Sequence, residues 1–251
     1  MKDKQVAVVT GASSGIGWEC AKLLAKNGWH IVAGARRLDR LSLLVEEIVA
    51  SGGSAEAFAL DVSSTASVKE FCTHIPKISL LVNNAGGALG VESISQAIEE
   101  DWLAMFQSNV LGLVRITREF IPRLIEGRGH IVNITSIAGR ECYPNGAGYT
   151  SAKHAARVIT KTLREELNGL PVRITDIAPG LVETEFSEVR FKGDKERAKS
   201  PYQGITPLTA VDIAEAILWA VNRPAHVNID EIVLKPVAQA SAVKIARNVG
   251  L

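Results

Sequence analysis

Tyr149 and Lys153 stand four residues apart in the run Gly146-Ala147-Gly148-Tyr149-Thr150-Ser151-Ala152-Lys153. On a helix that spacing puts both side chains on one face, where they address the same ligand. A free phenol titrates near ~10, too weak an acid for efficient proton exchange at neutral pH. An ammonium held close, together with the positive ring of a nicotinamide cofactor, favours the phenolate and lowers that value, so the pair suits general acid/base chemistry with Tyr149 as the group that moves the proton. The same spacing also arises by chance, as a surface aromatic beside a solvated lysine, so the pair takes its weight from what surrounds it.

A second set of residues reads as a phosphate cradle. Thr10-Gly11-Ala12-Ser13-Ser14-Gly15-Ile16-Gly17 follows the apolar run Val6 to Val9 and enters a helical pattern that passes through Trp18, Leu23 and Leu24 to an Asn27-Gly28 stop. Glycines at 11, 15 and 17 permit a tight turn and close backbone approach. The helix start offers free N–H groups and a positive dipole end to a pyrophosphate. Gly11, Ser13, Ser14, Gly15, Ile16 and Gly17 are therefore candidate dinucleotide contacts, although the G-x-x-x-G-x-G spacing departs from the commoner G-x-G-x-x-G. At the end of the second strand, where a carboxylate would hold a ribose 2′-hydroxyl, the chain has Gly34-Ala35-Arg36-Arg37. Two guanidiniums beside the Ser13 hydroxyl suit a 2′-phosphate, so the expected cofactor is NADP. Helix starts favour acids, which argues against Arg36 and Arg37 being ordinary solvated charges.

These residues need a scaffold, and the rest of the chain supplies one. Short β-rich runs near 6, 30, 55, 78, 130, 172 and 230 alternate with longer helical patterns, a rhythm that predicts a parallel sheet covered by helices on both faces. A long helix is expected from about Glu99 to Glu126, bent or ended early at Pro122, and another from about Ala147 to Asn168. The charged stretch from about 180 to 207 breaks the rhythm and reads as a mobile lid. With 251 residues, 47% hydrophobic and without an internal repeat or linker, residues 1–251 are expected to form one domain. Lys and Arg number 28 against 27 for Asp and Glu, which gives no field for nucleic acid or an anionic membrane. No apolar stretch is long enough for a membrane span, and no signal-peptide pattern opens the chain, so a cytoplasmic protein acting on small molecules is expected.

Three cysteines without CxxC spacing suggest neither disulfides nor zinc, and His30, His74, His130, His154 and His226 fall in different elements, so no metal is expected. Cys142 reads as a small apolar filler near the pocket. Trp102, Met105 and Phe106 read as packing or oligomer-contact residues.

Over essentially its whole length the chain resembles the short-chain dehydrogenase/reductase family. The resemblance rests on TGASSGIG at 10 to 17, Asp61-Val62, Asn83-Asn84-Ala85-Gly86, Asn109, Ser136 in NITSIAG, YTSAK at 149 to 153 and Pro179-Gly180, all in the family's order. It implies a three-layer, doubly wound Rossmann α/β fold with a seven-stranded, mainly parallel sheet, and NADP-dependent hydride transfer on an alcohol or ketone. Carried over residue by residue, it implies that Ser136 hydrogen-bonds the reacting oxygen and Tyr149 transfers the proton. Lys153 binds the nicotinamide ribose and tunes Tyr149, and Asn109 holds a relaying water. Asp61 and Val62 face the adenine, Asn83, Ala85 and Gly86 the ribose and the floor of the site, and Pro179, Gly180, Val182 and Thr184 the nicotinamide. The family's usual homotetramer is implied as well, with the tail from Pro236 to Leu251 contributing to it.

The stretch from Gly180 to Asp194, with Pro224 to Ile229 and Leu234 to Gln239, looks like the NADP-dependent 3-hydroxy acid dehydrogenases, which act on serine, allo-threonine and 3-hydroxypropionate-type acids. A carboxylate substrate wants a cation over the pocket, for which Arg190 and Lys192 are the candidates. Two alternatives stand beside this reading: a carbonyl or 3-oxoacyl reductase taking a larger ketone, and a non-catalytic NADP-binding regulator.

Overall fold

Alternate residues of the central strands face opposite ways, and in this chain both sets are apolar. In the computed structural model, which describes residues 4–249, Ala7 and Val9 enter one core while Val8 enters another. The strands are β1 (Val6–Thr10), β2 (His30–Ala35), β3 (Ser54–Ala59), β4 (Leu80–Asn83), β5 (His130–Ile134), β6 (Arg173–Pro179) and β7 (Glu231–Leu234). They form one seven-stranded sheet in the order β3-β2-β1-β4-β5-β6-β7, and every pairing is parallel. Parallel neighbours need crossovers, so helices cover both faces. On one face α1 (Gly15–Lys26), α2 (Leu38–Ala50) and α9 (Ala210–Val221) bury Leu24, Leu41, Leu44, Ile213 and Ile217. On the other, α3 (Thr65–Thr73), α5 (Gly112–Glu126) and α6 (Ala147–Glu166) bury Phe71, Ile116, Phe120, Leu124 and Leu163.

The long helix expected from Glu99 is built in three parts. Helix α4 (Glu99–Phe106) passes through a π turn (Gln107–Leu111) into α5, which continues past Pro122 to Glu126. The proline does not end the helix because Ile116, Phe120 and Leu124 on its inner stripe are almost fully buried, and packing outweighs one lost backbone bond. The segment from 180 to 207 is more regular than its sequence suggested, folding into the short helices α7 (Phe186–Arg190) and α8 (Lys195–Lys199). The C-terminal tail folds back on its own chain. Gln239 accepts the Leu181 N–H at 2.9 Å, and the Asn248 N–H reaches the Gly204 carbonyl at 2.7 Å. The tail's last two residues lie outside the described ones. Among the described residues, no helix is long and apolar enough to cross a membrane.

Candidate active site

Strand order turns outward in both directions from β1 and β4, and the carboxyl ends of the strands there leave a crevice. It is a cleft of about 790 Å³. Its walls carry Gly11, Ser13, Ser14, Gly15 and Ile16 from the first turn, Arg36 and Arg37 after β2, Asp61 and Val62 after β3, and Ala85 and Gly86 after β4. Ser136, Tyr149 and Lys153 come from the opposite side, and Pro179, Gly180, Val182, Thr184 and Arg190 close it from the β6 end.

The first turn is shaped for close backbone approach. Gly11 has φ +66°, and a Cβ there would lie 2.8 Å from Ala85 Cα. Arg37 donates from Nε and Nη2 to Ser13 Oγ at 3.2 Å each, and from Nη2 to Ser14 Oγ at 2.9 Å. Its Nη1 meets Glu185 Oε2 of the lid at 3.0 Å. A guanidinium, two hydroxyls and the N–H groups of a helix start form an anion site that fits a phosphate-bearing dinucleotide. Asp61 lies on the same wall. Burial works against its charge, but the Ser63 hydroxyl and N–H, at 2.6 and 2.9 Å, together with Arg36 and Arg115, outweigh this and hold the carboxyl below its ordinary value.

Three expected site residues stand off the cleft wall. Gly17 is buried behind the turn, where a Cβ would lie 2.5 Å from Asn84 Nδ2, so it serves close packing rather than cofactor contact. Asn83 turns beneath the floor, its Nδ2 donating to Thr117 Oγ1 at 2.9 Å and Asn133 Oδ1 at 2.8 Å. Its neighbour Asn84 is the residue that braces the turn, donating to the Thr10 and Gly11 carbonyls at 3.0 and 3.2 Å. Asn109 sits in the π turn, donating to the Met105 and Gly87 carbonyls at 2.8 and 2.9 Å while its Oδ1 accepts the Gly87 N–H at 3.2 Å. With Asn83 and Lys153 it lines a separate cavity of about 10 Å³, into whose neighbourhood Asn83 Oδ1 brings a buried oxygen with no protein partner.

Ser136, Tyr149 and Lys153 meet above this cavity. Ser136 Oγ accepts the Ala138 N–H at 3.0 Å and donates to the Pro179 carbonyl at 3.3 Å. Lys153 Nζ donates to the Ile134 carbonyl at 3.0 Å and lies 5.8 Å from the centre of the Tyr149 ring. The expected lowering of the phenol is not what the protein alone produces. Burial pushes Tyr149 well up, Tyr143 adds to this, and Ser136 and Arg190 act in the opposite direction. Burial also brings Lys153 down to about 8, with Asp176 opposing it. Lys153 stays an ammonium while it donates to this carbonyl, and a further positive charge beside the phenol would favour the phenolate.

Arg190 hangs over this group. Its Nη1 donates to Tyr143 Oη at 3.2 Å and its Nε to the Gly90 carbonyl at 3.4 Å, and the guanidinium lies 5.8 Å from the Tyr149 ring centre. Lys192, the other candidate, pairs with Asp101 at 2.7 Å and does not line the cleft. Cys142 is exposed rather than a pocket filler, because the loop before α6 lifts it into solvent. Sequence reasoning missed Tyr143, Leu89 and Phe186, which with Met105 and Trp102 form the apolar wall around Tyr149. No spacing pattern marks them, because they reach one place from four separate segments. Among the described residues, no cluster of histidine, cysteine or acidic side chains could hold a metal ion.

Comparisons with known proteins point to one family. Residues 5–195 match the family model for short chain dehydrogenases. An uncharacterized oxidoreductase of Mycobacterium tuberculosis is 52% identical over 244 residues, covering 97% of this chain and 95% of that one. The NADP-dependent 3-hydroxy acid dehydrogenase YdfG of Escherichia coli K12 is 41% identical over 243 residues, covering 94% and 97%. Among solved structures, the closed form of a serine dehydrogenase complexed with NADP+ superposes with a TM-score of 0.91 at 41% identity, over 95% of this chain and 97% of that one.

Proposed function

This chain belongs to the short-chain dehydrogenase family, and on that premise we propose that it is an NADP-dependent oxidoreductase that moves a hydride between the cofactor and a small 3-hydroxy acid. Serine, allo-threonine and 3-hydroxypropionate-type acids are the substrates in view. NADP, when bound, supplies or accepts the hydride and brings the positive nicotinamide. Gly11, Gly15 and Ile16 would lie along the pyrophosphate. Arg36, Arg37, Ser13 and Ser14 would hold the 2′-phosphate, Asp61 and Val62 the adenine, and Ala85 and Gly86 the ribose. Pro179, Gly180, Val182 and Thr184 would hold the nicotinamide end.

Within that frame Ser136 donates to the substrate oxygen and Tyr149 takes or gives the proton at that oxygen. Lys153 holds the nicotinamide ribose and adds positive charge beside the phenol. Asn109 holds a water in the small cavity next to Lys153, where Asn83 Oδ1 needs a donor and the space is about that of one water.

The observation that carries the substrate class is Arg190, a guanidinium placed 5.8 Å from the Tyr149 ring centre and held by Tyr143 and Gly90. A fixed cation beside the proton-transfer group suits a substrate with a carboxylate. A larger apolar ketone would leave that charge without a partner. Oxidation rates with NADP across serine, allo-threonine, 3-hydroxyisobutyrate and a neutral secondary alcohol test the reading. Arg190→Ala is expected to raise KM for the acids about tenfold or more while leaving the neutral alcohol alone. Equal effects on both would end the carboxylate reading.

Exposed Leu103 on α4, Val114 on α5 and Val158 on α6 support self-association as a homotetramer, which sedimentation equilibrium decides. Three unpaired cysteines, one exposed, support a reducing cytoplasmic setting. Recovery of the native protein from a cytosolic fraction checks that placement.

A further inference from the structure

Ser136 and Lys153 both take their places from the end of β5. Ile134 gives its carbonyl to the Lys153 ammonium at 3.0 Å, and Ser136 caps the short turn Ile137–Gly139 that follows. One buried carboxylate grips this segment from both sides. Thr135, between Ile134 and Ser136, donates its hydroxyl to Asp176 Oδ1, and its N–H reaches the neighbouring Ile177 carbonyl at 2.8 Å. Arg140, just past the turn, donates from Nη2 to Asp176 Oδ2 at 3.2 Å. Asp176 itself stands on β6 with 4% of its surface exposed, outside the cleft wall.

We propose that Asp176 is a positioning residue for the reaction: it clamps the segment that presents Ser136 and the Ile134 carbonyl, and it supplies the counter-charge that keeps Lys153 an ammonium. The proposal rests on the reading of Ser136, Tyr149 and Lys153 as the chemical centre.

A carboxylate buried on a central strand is costly, and an apolar side chain would pack there without that cost. The clamp alone needs only an acceptor for Thr135, which an amide would also provide. What an amide lacks is charge. The charged and titratable groups around the pair are Tyr149 and Arg157 on α6, Arg140 after the Ser136 turn, and Glu231 on β7, which takes Arg140 and lies 3.6 Å from Arg157. Among them Asp176 is the one whose field opposes the burial that draws the Lys153 proton away. Burial works against the charge of Asp176 itself, and Thr135, Arg140, Lys153 and Arg157 oppose that.

In NADP-linked alcohol oxidation, activity falls at alkaline pH as Lys153 loses its proton. In full-length Asp176→Asn that alkaline limb of the kcat profile is expected to move down by about one pH unit, with kcat lowered about tenfold and NADPH affinity by fluorescence unchanged. In Thr135→Val, which loosens the clamp but leaves the carboxylate in place, kcat is expected to fall severalfold with the limb unmoved. A limb that stays put in Asp176→Asn, or one that moves equally in Thr135→Val, overturns the counter-charge role. If Asp176→Asn does not fold, Thr135→Val decides by itself: a lowered kcat restored by Thr135→Ser supports the proposal and an unchanged kcat overturns it. Tyr149→Phe, run alongside, separates the two levels. Turnover surviving in it removes the underlying reading, whereas an inactive Tyr149→Phe with an unmoved limb in the Asp176 variant removes this proposal only.

Discussion

Tyr149 is a phenol whose surroundings in the protein do not yet favour its reactive form. Burial raises it, and the nearest lysine spends a hydrogen bond on Ile134. In the proposed reaction a positive cofactor ring beside it would favour the phenolate. Replacing the hydroxyl removes the proton donor without disturbing the ring, which packs with Met105, Ala88 and Ala138. Tyr149→Phe is expected to lower kcat by about 10²–10⁴-fold, the range of a positioned acid or base, while NADPH titration by fluorescence shows unchanged affinity. Activity within tenfold of the parent would move the proton transfer to another group.

At the scale of elements, the π turn does what an unbroken helix could not. The extra residue per turn re-aims Asn109 inward between α4 and α5, where it clamps Gly87 by both its amide atoms. Gly86 lets the β4 loop come that close, since a Cβ there would lie 2.5 Å from Asn109 Oδ1. Gly86→Ala is expected to cost about 1–3 kcal/mol in stability, as overpacking of a tight contact does, and to depress kcat by displacing Asn109. Thermal melting and steady-state rates check both parts, and an alanine variant with parental melting and turnover would show that the loop has slack. The lid joins the scaffold through charge. Glu185 bonds Arg37 across the cleft, so the segment that covers the site is tied to the residue offered to the 2′-phosphate.

At the scale of the whole molecule, a histidine of the sheet ties stability to acidification. His130 on β5 is buried, hydrogen-bonded through Nε2 to Thr175 Oγ1 at 2.8 Å, and burial brings it down to about 3. The unfolded chain takes up that proton near pH ~6.5. Between there and about 3 the unfolded state binds more protons than the folded one, so stability falls as the solution is acidified through that window. From pH 7 to 5 the loss from this one group is expected to be about 2 kcal/mol. Denaturant titrations of the parent and His130→Gln at both pH values isolate it: the variant should lose that much less, and equal losses would place the dependence elsewhere.

Much of this was legible along the chain. Continuous apolar strands separated by helical repeats are buried on both faces in any order of assembly, so the parallel sheet followed from pattern alone. The turn from Gly11 to Gly15, the two arginines after β2 and the Tyr149-Lys153 helix are local features whose geometry is set within a few residues, and they line the cleft as expected. Side-chain direction was not legible where it depends on distant partners. Asn83 and Asn84 are neighbours of one type, yet Thr117 and Asn133 draw one under the floor while the Thr10 and Gly11 carbonyls take the other. Lys192 is lost to Asp101 and Arg190 is kept by Tyr143 for a similar reason. Asp176 carries no motif at all, and only the register of β5 against β6 brings its carboxylate to both sides of Ser136. The sequence determined which chemical groups the fold would gather, because periodicity and turn chemistry are local. Tertiary structure decided where each proton and charge resides, because burial and hydrogen bonding are set by segments far apart in the chain.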